Sequence, residues 1–470
     1  MRILVFGTGV FWKSRQESVL NNSDIICFLD NNPDKIGKYI HGRLIDSPNN
    51  ITKYENEYDY VLLMSQYTHE MKMQLVDLGI TQEVIWTWKD YVCNEIKDAI
   101  TYYVNENVSE TDTIIITTAM NYNGGTIAAV YAAKALTQKG QTVIMCTQRC
   151  DIKYLDEIRN DRVNVLVAPI LEFDINFEIM GLVQKSKNVI INVFQMLPIV
   201  SRLNGIKPIL WWVHEPEELY GPVLGKYVED ANPINFEKIN IKAVSRVAMA
   251  NFNSHFPNRI DGIMTYGIPD EATDIDTTLM EKNSKITFAV IGGIIELKAQ
   301  DVFVKAVSLL KEMERIQANF LVIGNDGGKF GQQVHKMAQG IDEIKFMGNL
   351  SRKQMREIYP SIDVVVCPSL EETMSIVMTE AMMHGKACIG SDKAGMTDYI
   401  IDGENGLVCK AGNAENLTEK ISYFINNPQE VIRMGKAARK IYEDYFTMDK
   451  FASRLIDALD ETANNYNTNS

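Results

Sequence analysis

The chain has 470 residues, of which 46% are apolar and 23% charged, and its formal net charge is −14. This length predicts two or three domains, and the acidic balance disfavours a nucleic-acid-binding surface, which needs clustered Lys and Arg. Seven scattered cysteines are typical of reduced, buried thiols in a cytoplasmic protein. The chain begins on a strand-like run and its apolar stretches are too short to span a membrane, so we expect a soluble, cytoplasmic protein that can also act at the inner face of the membrane.

Residues 1–95 have the pattern of a small Rossmann-like unit, with strand-like runs RILVFG, DIICFLD and YDYVLLMS separated by helical segments. Gly7, Gly9 and Asp30 stand where a nucleotide site has its glycine turn and its ribose-binding acid, but Trp12 replaces the third glycine of that fingerprint. The segment FLDNNPDKIGKYIHG resembles the front domain of some sugar acyltransferases. Two readings stay open: an accessory domain without a ligand, or a nucleotide site that uses those three residues.

The polar stretch 96–112 is predicted to be a linker. After it, 113–275 repeats the alternation of strand and helix, beginning with TIIITTAMNYNGGTIAAV, whose Gly124 and Gly125 lie between the first strand and its helix. Backbone amides in such a turn can approach a phosphate, although tight turns also use glycine for geometry alone. This range is predicted to be a doubly wound domain.

The run PILWWVHEPEELYG places His214 and Glu215 at the end of a strand of this second domain. A lone His among apolar residues is more often a core side chain, but ligands bind at the carboxyl ends of parallel strands. His214 is therefore a candidate site residue. Glu215, Glu217 and Glu218 are expected to form a solvated acidic rim.

A third α/β domain is predicted over 276–445, from strand-like runs such as KITFAVIGG, NFLVIGN and DVVVCPS. Residues 446–470 are predicted to be a helix that packs back on the second domain, followed by a disordered tail. The predicted fold class is thus α/β, with two doubly wound Rossmann-like domains facing a cleft and a smaller one in front. The cleft is the default binding site.

The stretch LEETMSIVMTEAMMHGK carries carboxylates at Glu372 and Glu380 within mostly small and apolar residues. Ser375 is a good N-cap and Gly385 a good C-terminal residue, so a helix is predicted over 376–384. The N-terminus of a helix beyond a parallel strand favours an anion, and a carboxylate suits a vicinal diol, so the pattern fits a nucleotide sugar. The alternative is that these acids are ordinary solvated charges.

This block, with CPS before it and GKACIGSDKAG and DYIIDGENGLV after it, resembles the retaining glycosyltransferases of family 4, which have the GT-B fold. The resemblance covers about 113–460. It implies that Glu372 holds hydroxyls of the transferred sugar and Glu380 the nucleotide ribose. It also implies that backbone amides of Met374, Ser375 and Ile376 contact sugar and phosphate.

Thr373 and Ser375 stand where the family usually has Gly, which puts the detail of the sugar site in doubt. The run IGGIIELKAQ aligns Lys298 with the family's diphosphate-binding Lys, whereas Gly293 occupies the position of its Arg and Ala299 that of a second Gly. The resemblance also assigns the glycine loop to the donor phosphates, His214 to the donor sugar and Met347, in FMGN, to the side of the nucleotide base.

The resemblance therefore implies a retaining hexosyltransferase that uses a nucleoside-diphosphate sugar. Its acceptor would be a carbohydrate, a lipid-linked sugar or a protein, and its product a cell-surface glycan, polysaccharide or glycoprotein. No cofactor or metal is expected, because no Asp-x-Asp pair stands out as a metal clamp. The alternatives are a GT-B-fold epimerase or phosphorylase, a catalytically silent scaffold in a glycan-assembly complex, and a dehydrogenase that uses the first domain.

Overall fold

The computed structural model describes residues 1–103, 111–121, 123–151, 154–155, 158, 162–227, 234–272 and 285–468. Over these ranges the chain forms three α/β domains in sequence, each with one β-sheet and helices beside it. No helix within these ranges combines the length and the apolar character needed to cross a membrane. The predicted boundary at 275 and the last two residues of the predicted tail lie outside the described residues.

The first domain has a sheet of six strands in the order β3-β4-β2-β1-β5-β6. Its strands are β1 Arg2–Phe6, β2 Asp24–Leu29, β3 Tyr39–Ile40, β4 Arg43–Asp46, β5 Tyr60–Leu63 and β6 Ile85–Trp86. Its helices are α1 Val10–Lys13, α2 Gln16–Leu20, α3 Thr68–Asp77 and α4 Trp88–Asn94. All neighbours are parallel except β3 and β4, which form a hairpin absent from the predicted elements. Strand β3 has only two residues, too few to show an alternating pattern.

The second domain has an eight-stranded sheet in the order β14-β13-β12-β11-β8-β9-β10-β7. Its strands are β7 Thr101–Tyr103, β8 Thr113–Thr117, β9 Val143–Thr147, β10 Asn164–Val167, β11 Asn188–Asn192, β12 Ile209–Val213, β13 Ile239–Ala243 and β14 Gly262–Ile263. The helices described beside it are α5 Gly124–Gln138, α6 Phe177–Lys185, α7 Leu197–Leu203, α8 Tyr220–Tyr227 and α9 Arg246–His255.

Strand β7 corrects the predicted linker, because it lies within 96–112 and pairs antiparallel with β10 at the sheet edge. Its three residues are largely exposed and carry no apolar run, so periodicity does not reveal it. The rest of that segment, 104–110, lies outside the described residues.

The third domain has six parallel strands in the order β17-β16-β15-β18-β19-β20. They are β15 Ile286–Ile291, β16 Ala318–Ile323, β17 Ile344–Gly348, β18 Val364–Cys367, β19 Ala387–Ser391 and β20 Leu407–Cys409. Its helices are α10 Gln300–Leu309, α11 Glu312–Arg315, α12 Lys329–Met337, α13 Arg352–Ile358, α14 Ile376–Met383, α15 Ala414–Asn426 and α16 Pro428–Ile441. The central strands β15, β18 and β19 are buried along almost their whole length and are mostly apolar, as expected when helices cover both faces of a parallel sheet.

The last helix, α17 Met448–Thr468, follows a π-helical turn at Tyr442–Phe446 and packs on the second domain. Asn240 of β13 donates a hydrogen bond of 3.0 Å to the Thr462 hydroxyl, and Lys242 forms an ion pair of 2.7 Å with Glu461. The chain therefore crosses from the second domain to the third and then returns to the second.

A buried carboxylate joins the first domain to the second. Glu172 accepts hydrogen bonds from Arg15 at 3.2 Å and from the Trp88 indole at 2.9 Å, both in the first domain. It also pairs with Lys226 of the second domain at 2.9 Å. Burial alone raises the pKa of Glu172, but Arg15 and then Lys226 outweigh it, so the pKa lies below its ordinary value.

The second and third domains meet through polar contacts beside the predicted site. The Ser245 hydroxyl donates to the carbonyl of Thr373, and the Glu371 carboxylate accepts from Asn251 at 2.7 Å and from the Glu217 amide at 2.9 Å. These contacts hold the 371–373 loop against the ends of the second domain's strands.

Candidate functional site

The predicted helix with its cap is confirmed. Helix α14 begins after Ser375, whose hydroxyl accepts a hydrogen bond of 3.3 Å from the Met378 amide. It ends at Met383, one residue earlier than predicted, and Gly385 has a left-handed φ of 64°. The first-turn amides of α14 thus lie beyond the carboxyl end of β18, as the sequence pattern requires for an anion site.

These amides border a cavity of about 400 Å³ between the second and third domains. Seven of the predicted site residues line it: Gly124, Lys298, Glu372, Met374, Ser375, Ile376 and Glu380. The other lining residues are mostly apolar or small, among them Ile127, Ile291, Gly292, Met355 and Cys367. The cavity therefore has a mostly apolar wall with a few convergent polar groups, as ligand sites do.

Glu372 and Lys298 form a direct ion pair in this cavity. Their side chains are 12% and 32% exposed, so the pair is shielded but reachable. Burial lowers the pKa of Lys298, yet the adjacent Glu372 charge outweighs it and holds the pKa above its ordinary value. Lys298 is accordingly a cation that can meet a phosphate, and Glu372 then becomes an acceptor for hydroxyls.

Glu380 lies on α14, is partly buried, and lines the same cavity. It accepts a hydrogen bond of 3.0 Å from the Tyr359 hydroxyl. Burial raises the pKa of Glu380 in spite of that bond and of the nearby Arg352 charge. A carboxylate held this way keeps free lone pairs for a diol.

The positions at which the sequence departs from the family pattern differ in backbone strain. Thr373 and Ser375 do not have left-handed backbones, and φ of Ser375 is −96°, so neither needs glycine. Ala299, at the position of the family's second glycine, does have a left-handed φ of 53° and carries that strain. Gly293 has open space around it, so a larger side chain would fit at this position.

Three predicted site residues do not line the cavity. Gly125 packs on the second domain instead, where an added Cβ would lie 2.8 Å from the Val193 side chain. His214 is buried, its Nε2 has no partner among the described residues, and burial lowers its pKa to about 3, so the ring is neutral. Met347 is 39% exposed on β17.

The expected acidic rim is wrong for Glu215, which is only 3% exposed. Its carboxylate accepts hydrogen bonds from the backbone amides of Phe194 at 2.6 Å and His214 at 2.8 Å. These bonds offset the free-energy cost of burying the carboxylate. Glu217 and Glu218 are exposed as expected.

The structure brings further residues to the cleft that the sequence patterns do not identify. Arg352, from the start of α13, donates a hydrogen bond of 3.0 Å to the Tyr131 hydroxyl on the opposite domain. It also pairs with Glu271, near one of the chain crossings, at 3.5 Å. The basic run SRKQMR contains a signal for Arg352, whereas Tyr131 and Tyr359 occur in apolar surroundings that carry none.

The predicted accessory residues of the first domain lie around a separate cavity of about 1020 Å³. Asp30 accepts hydrogen bonds from the Thr8 amide at 3.1 Å, the Thr8 hydroxyl and Lys35 at 2.9 Å. Gly7 has a φ of 107°, and a Cβ there would lie 2.7 Å from a backbone carbonyl. Asp30 and Gly7 thus shape the loop itself, while Gly9 lies in open space at the cavity.

Comparison with family models agrees with this division of the chain. Residues 273–441 match the model described as glycosyl transferases group 1, and residues 1–86 match one described as C2185-like, N-terminal. Curated relatives include D-inositol 3-phosphate glycosyltransferase of Kribbella flavida, 26% identical over 166 residues that make up 33% of this chain and 39% of that protein. Sulfoquinovosyl transferase of Arabidopsis thaliana is 30% identical over 146 residues, 30% of this chain and 28% of that protein. The chain thus spans less than half the length of these relatives.

Solved structures establish the fold. The Anabaena protein Alr3699/HepE, in complex with UDP and glucose, superposes with a TM-score of 0.61 at 15% identity, over 74% of this chain and 99% of that one. Sucrose-phosphate synthase from Thermosynechococcus elongatus gives a TM-score of 0.56 at 15% identity, over 75% of this chain and 99% of that one. The second and third domains have the GT-B fold, with an additional domain in front.

Proposed function

We propose that this chain is a retaining glycosyltransferase of the family 4 type, which moves a hexosyl unit from a nucleoside-diphosphate sugar to an acceptor hydroxyl. The observation that carries the proposal is the cleft cavity, in which the capped start of α14, Lys298, Glu372 and Glu380 converge. The names of the two relatives reported above, a glycosyltransferase and a sulfoquinovosyl transferase, support the assignment to the glycosyltransferases. The complexes of HepE with UDP and UDP-glucose support a uridine nucleotide as the first donor to try.

In this proposal each group meets one part of the donor. The amides of Met374, Ser375 and Ile376 contact the phosphates and the sugar, and Glu380 accepts hydrogen bonds from the ribose diol. The Lys298–Glu372 pair opens when the donor enters, so that Lys298 faces the diphosphate and Glu372 the sugar hydroxyls. Each partner then exchanges one charge-assisted contact for another, which keeps both groups satisfied.

Charge stabilisation by the protein accounts for a metal-independent reaction. Negative charge develops on the leaving diphosphate as the glycosidic bond breaks, and the helix amides together with Lys298 oppose it. The acceptor attacks on the same face, and the departing phosphate oxygen takes its proton, so no protein nucleophile is required. His214 is buried and does not line the cavity, so it is given no direct contact with the donor.

The acceptor is proposed to be a carbohydrate, a lipid-linked sugar or a protein, in the assembly of cell-surface glycan, polysaccharide or glycoprotein. We place the enzyme in the cytoplasm, where a lipid-linked acceptor would be reached at the inner face of the membrane.

Three substitutions test the site with UDP-glucose as donor and release of UDP as the readout. Glu380→Ala should weaken donor binding by about 10- to 100-fold, because two hydroxyls of the ribose lose a charged acceptor. Glu372→Ala and Lys298→Ala should lower kcat by about 100-fold or more, because they remove groups that act on the sugar and the leaving phosphate.

Glu218→Ala and Lys345→Ala, which remove exposed charges of the same kinds, serve as matched controls and should leave the kinetics unchanged. Unaltered kinetics in all three site variants would remove this assignment. If the donor binds through Glu380 but no turnover occurs, the chain is instead a catalytically silent scaffold. The departures from the family pattern at Gly293 and Ala299 would explain such a loss of activity.

A further inference from the structure

A second cavity lies outside the cleft, between the first and second domains. It has a volume of about 1020 Å³ and opens at the carboxyl ends of β1, β2 and β5. Strands β2 and β5 lie on opposite sides of β1, so this is the point where the strand order reverses and where open α/β sheets bind ligands. It shares no lining residue with the cleft cavity.

The second domain contributes a cation to this cavity. Arg149, which follows β9, lines it together with Asn121, although every other lining residue belongs to the first domain. Arg149 is only partly exposed, and its guanidinium makes no hydrogen bond or close ion pair with any of the described residues, although the Glu172 charge acts on it. Burial, and then repulsion from Arg15, lower its pKa.

The other charges of the lining are accounted for. Arg15 pairs with Glu172 at 3.2 Å, and Lys35 pairs with Asp30 at 2.9 Å. Glu70 is exposed to water. Glu172 is the carboxylate near Arg149, but it already pairs with Arg15 and Lys226. Three cations thus share one carboxylate beside this wall of the cavity, and the excess positive charge favours an anionic ligand.

The remaining lining fits the rest of a nucleotide. Tyr67 is 62% exposed and offers an aromatic face to a ligand, whereas the ring of Phe11 already carries the Arg15 guanidinium 3.8 Å from its centroid. Gln66 and Asn121 add amide donors and acceptors. The volume is that of a site for a molecule of nucleotide size, whereas a bare phosphate would occupy a small part of it.

We propose that this cavity binds a nucleotide whose phosphate is held by Arg149 and whose base lies against the exposed aromatic ring of the first domain. Asp30 takes no part in ribose recognition, because its oxygens already hold Thr8 and Lys35. Since Arg149 belongs to the second domain, the ligand bridges the two domains, and residues 1–95 alone are insufficient. The proposal does not depend on the transferase function.

The test is calorimetric titration of the full chain with UDP and, separately, with ADP. Four proteins are compared: the unaltered chain, Arg149→Gln, Lys298→Ala and the double variant. We expect at least one of the nucleotides to show a site that Arg149→Gln weakens by about tenfold or more, since a guanidinium–phosphate pair is lost. Lys298→Ala should leave that site unchanged.

Arg202→Gln removes a guanidinium from the same domain outside the cavity and should bind as the unaltered chain does. If Arg149→Gln unfolds early, Arg149→Lys is used, which should keep the charge and part of the affinity. If nucleotide binding is lost only in the Lys298 variant, the cleft assignment is supported and this proposal is overturned. If no nucleotide binding depends on Arg149, the proposal is overturned as well. A site lost only in the Arg149 variants supports the proposal even if the transferase assignment fails.

Discussion

At the scale of single residues, the strained turn after β11 is held by a buried acid. Val193 has a φ of 72°, which a β-branched residue rarely adopts, and its side chain contacts Gly125 at the start of α5. Glu215 fixes this turn through the Phe194 amide. Because Gly124 lines the cleft cavity next to Gly125, the turn positions one wall of the proposed donor site.

Burial raises the pKa of Glu215 to about 7, although amide hydrogen bonds oppose the shift. An acid whose pKa is higher in the folded chain stabilises that chain at low pH, and the contribution is lost as pH rises from about 4.5 through 7. The free energy of unfolding should therefore fall by about 3 kcal/mol over that interval in the unaltered chain relative to Glu215→Gln. Urea unfolding at pH 5, 6, 7 and 8 measures this difference.

Glu218→Gln, which changes an exposed acid three residues away, should show no such difference. If the curves of the unaltered chain and Glu215→Gln run parallel over the whole range, Glu215 does not titrate as stated.

Sequence spacing is informative for residues whose role is local and uninformative for those whose role depends on distant partners. Glu372, Ser375 and Glu380 belong to one strand–loop–helix segment, so their relation could be predicted from the chain alone. Glu215 was expected at the surface because Phe194, one of the two residues whose amides bond its carboxylate, lies just after β11 and about twenty residues earlier in the chain. Arg149 and Arg15 meet only after two domains dock.

At the scale of elements, the 371–373 loop is fixed by close backbone contacts. The Glu372 amide donates to the carbonyl of Lys393 at 3.1 Å, and the Gly395 amide donates to the carbonyl of Glu372 at 2.8 Å. A Cβ at Gly395 would lie 2.0 Å from the carbonyl oxygen of Thr373 and 2.6 Å from the Ser245 hydroxyl. Glycine is thus required where the loop, the 394–395 turn and the second domain meet.

Gly395→Ala should destabilise the chain by about 1–3 kcal/mol, the usual effect of overpacking, because a backbone atom rather than a flexible side chain is displaced. It should also weaken binding of UDP, since Glu372 shifts with its loop. Thermal unfolding and calorimetry measure the two effects.

Gly181→Ala is the matched control, because that helix position has open space and alanine favours the helix by up to about 1 kcal/mol. Equal melting temperatures for Gly395→Ala and the unaltered chain would contradict the packing described. Among the elements missed from the sequence, β3 and β7 are short edge strands, which form because a neighbour offers free backbone groups rather than because their own residues alternate.

At the scale of the whole molecule, the front domain is attached through Glu172. Glu172→Gln removes the charge that balances Arg15 and Lys226, and loss of one partner of a buried ion pair costs about 3–5 kcal/mol. We expect a lower urea midpoint together with faster tryptic cleavage within 1–103, because the docking of that domain is loosened.

Asp24→Asn breaks an exposed pair with Arg43 in the same domain and should cost no more than about 1 kcal/mol. Cleavage within 1–103 at the rate of the unaltered chain would show that Glu172 does not hold the domains together.

The succession of three α/β domains could be predicted from alternating strands and helices, since each unit forms from contiguous sequence. The way in which the first domain docks could not, because Glu172 lies 157 residues from Arg15 and the contact follows no repeat.

The return of α17 to the second domain has a mechanical consequence. The two peptide crossings run side by side, because the Ile268 amide bonds the Phe446 carbonyl at 2.9 Å and the Tyr442 hydroxyl bonds the Ile268 carbonyl at 3.1 Å. A Cβ at Gly267 would lie 2.7 Å from the Thr447 carbonyl, so they cannot come closer. We expect such a paired hinge to resist sliding of one domain past the other and to allow rotation about one axis, which would change the width of the cleft.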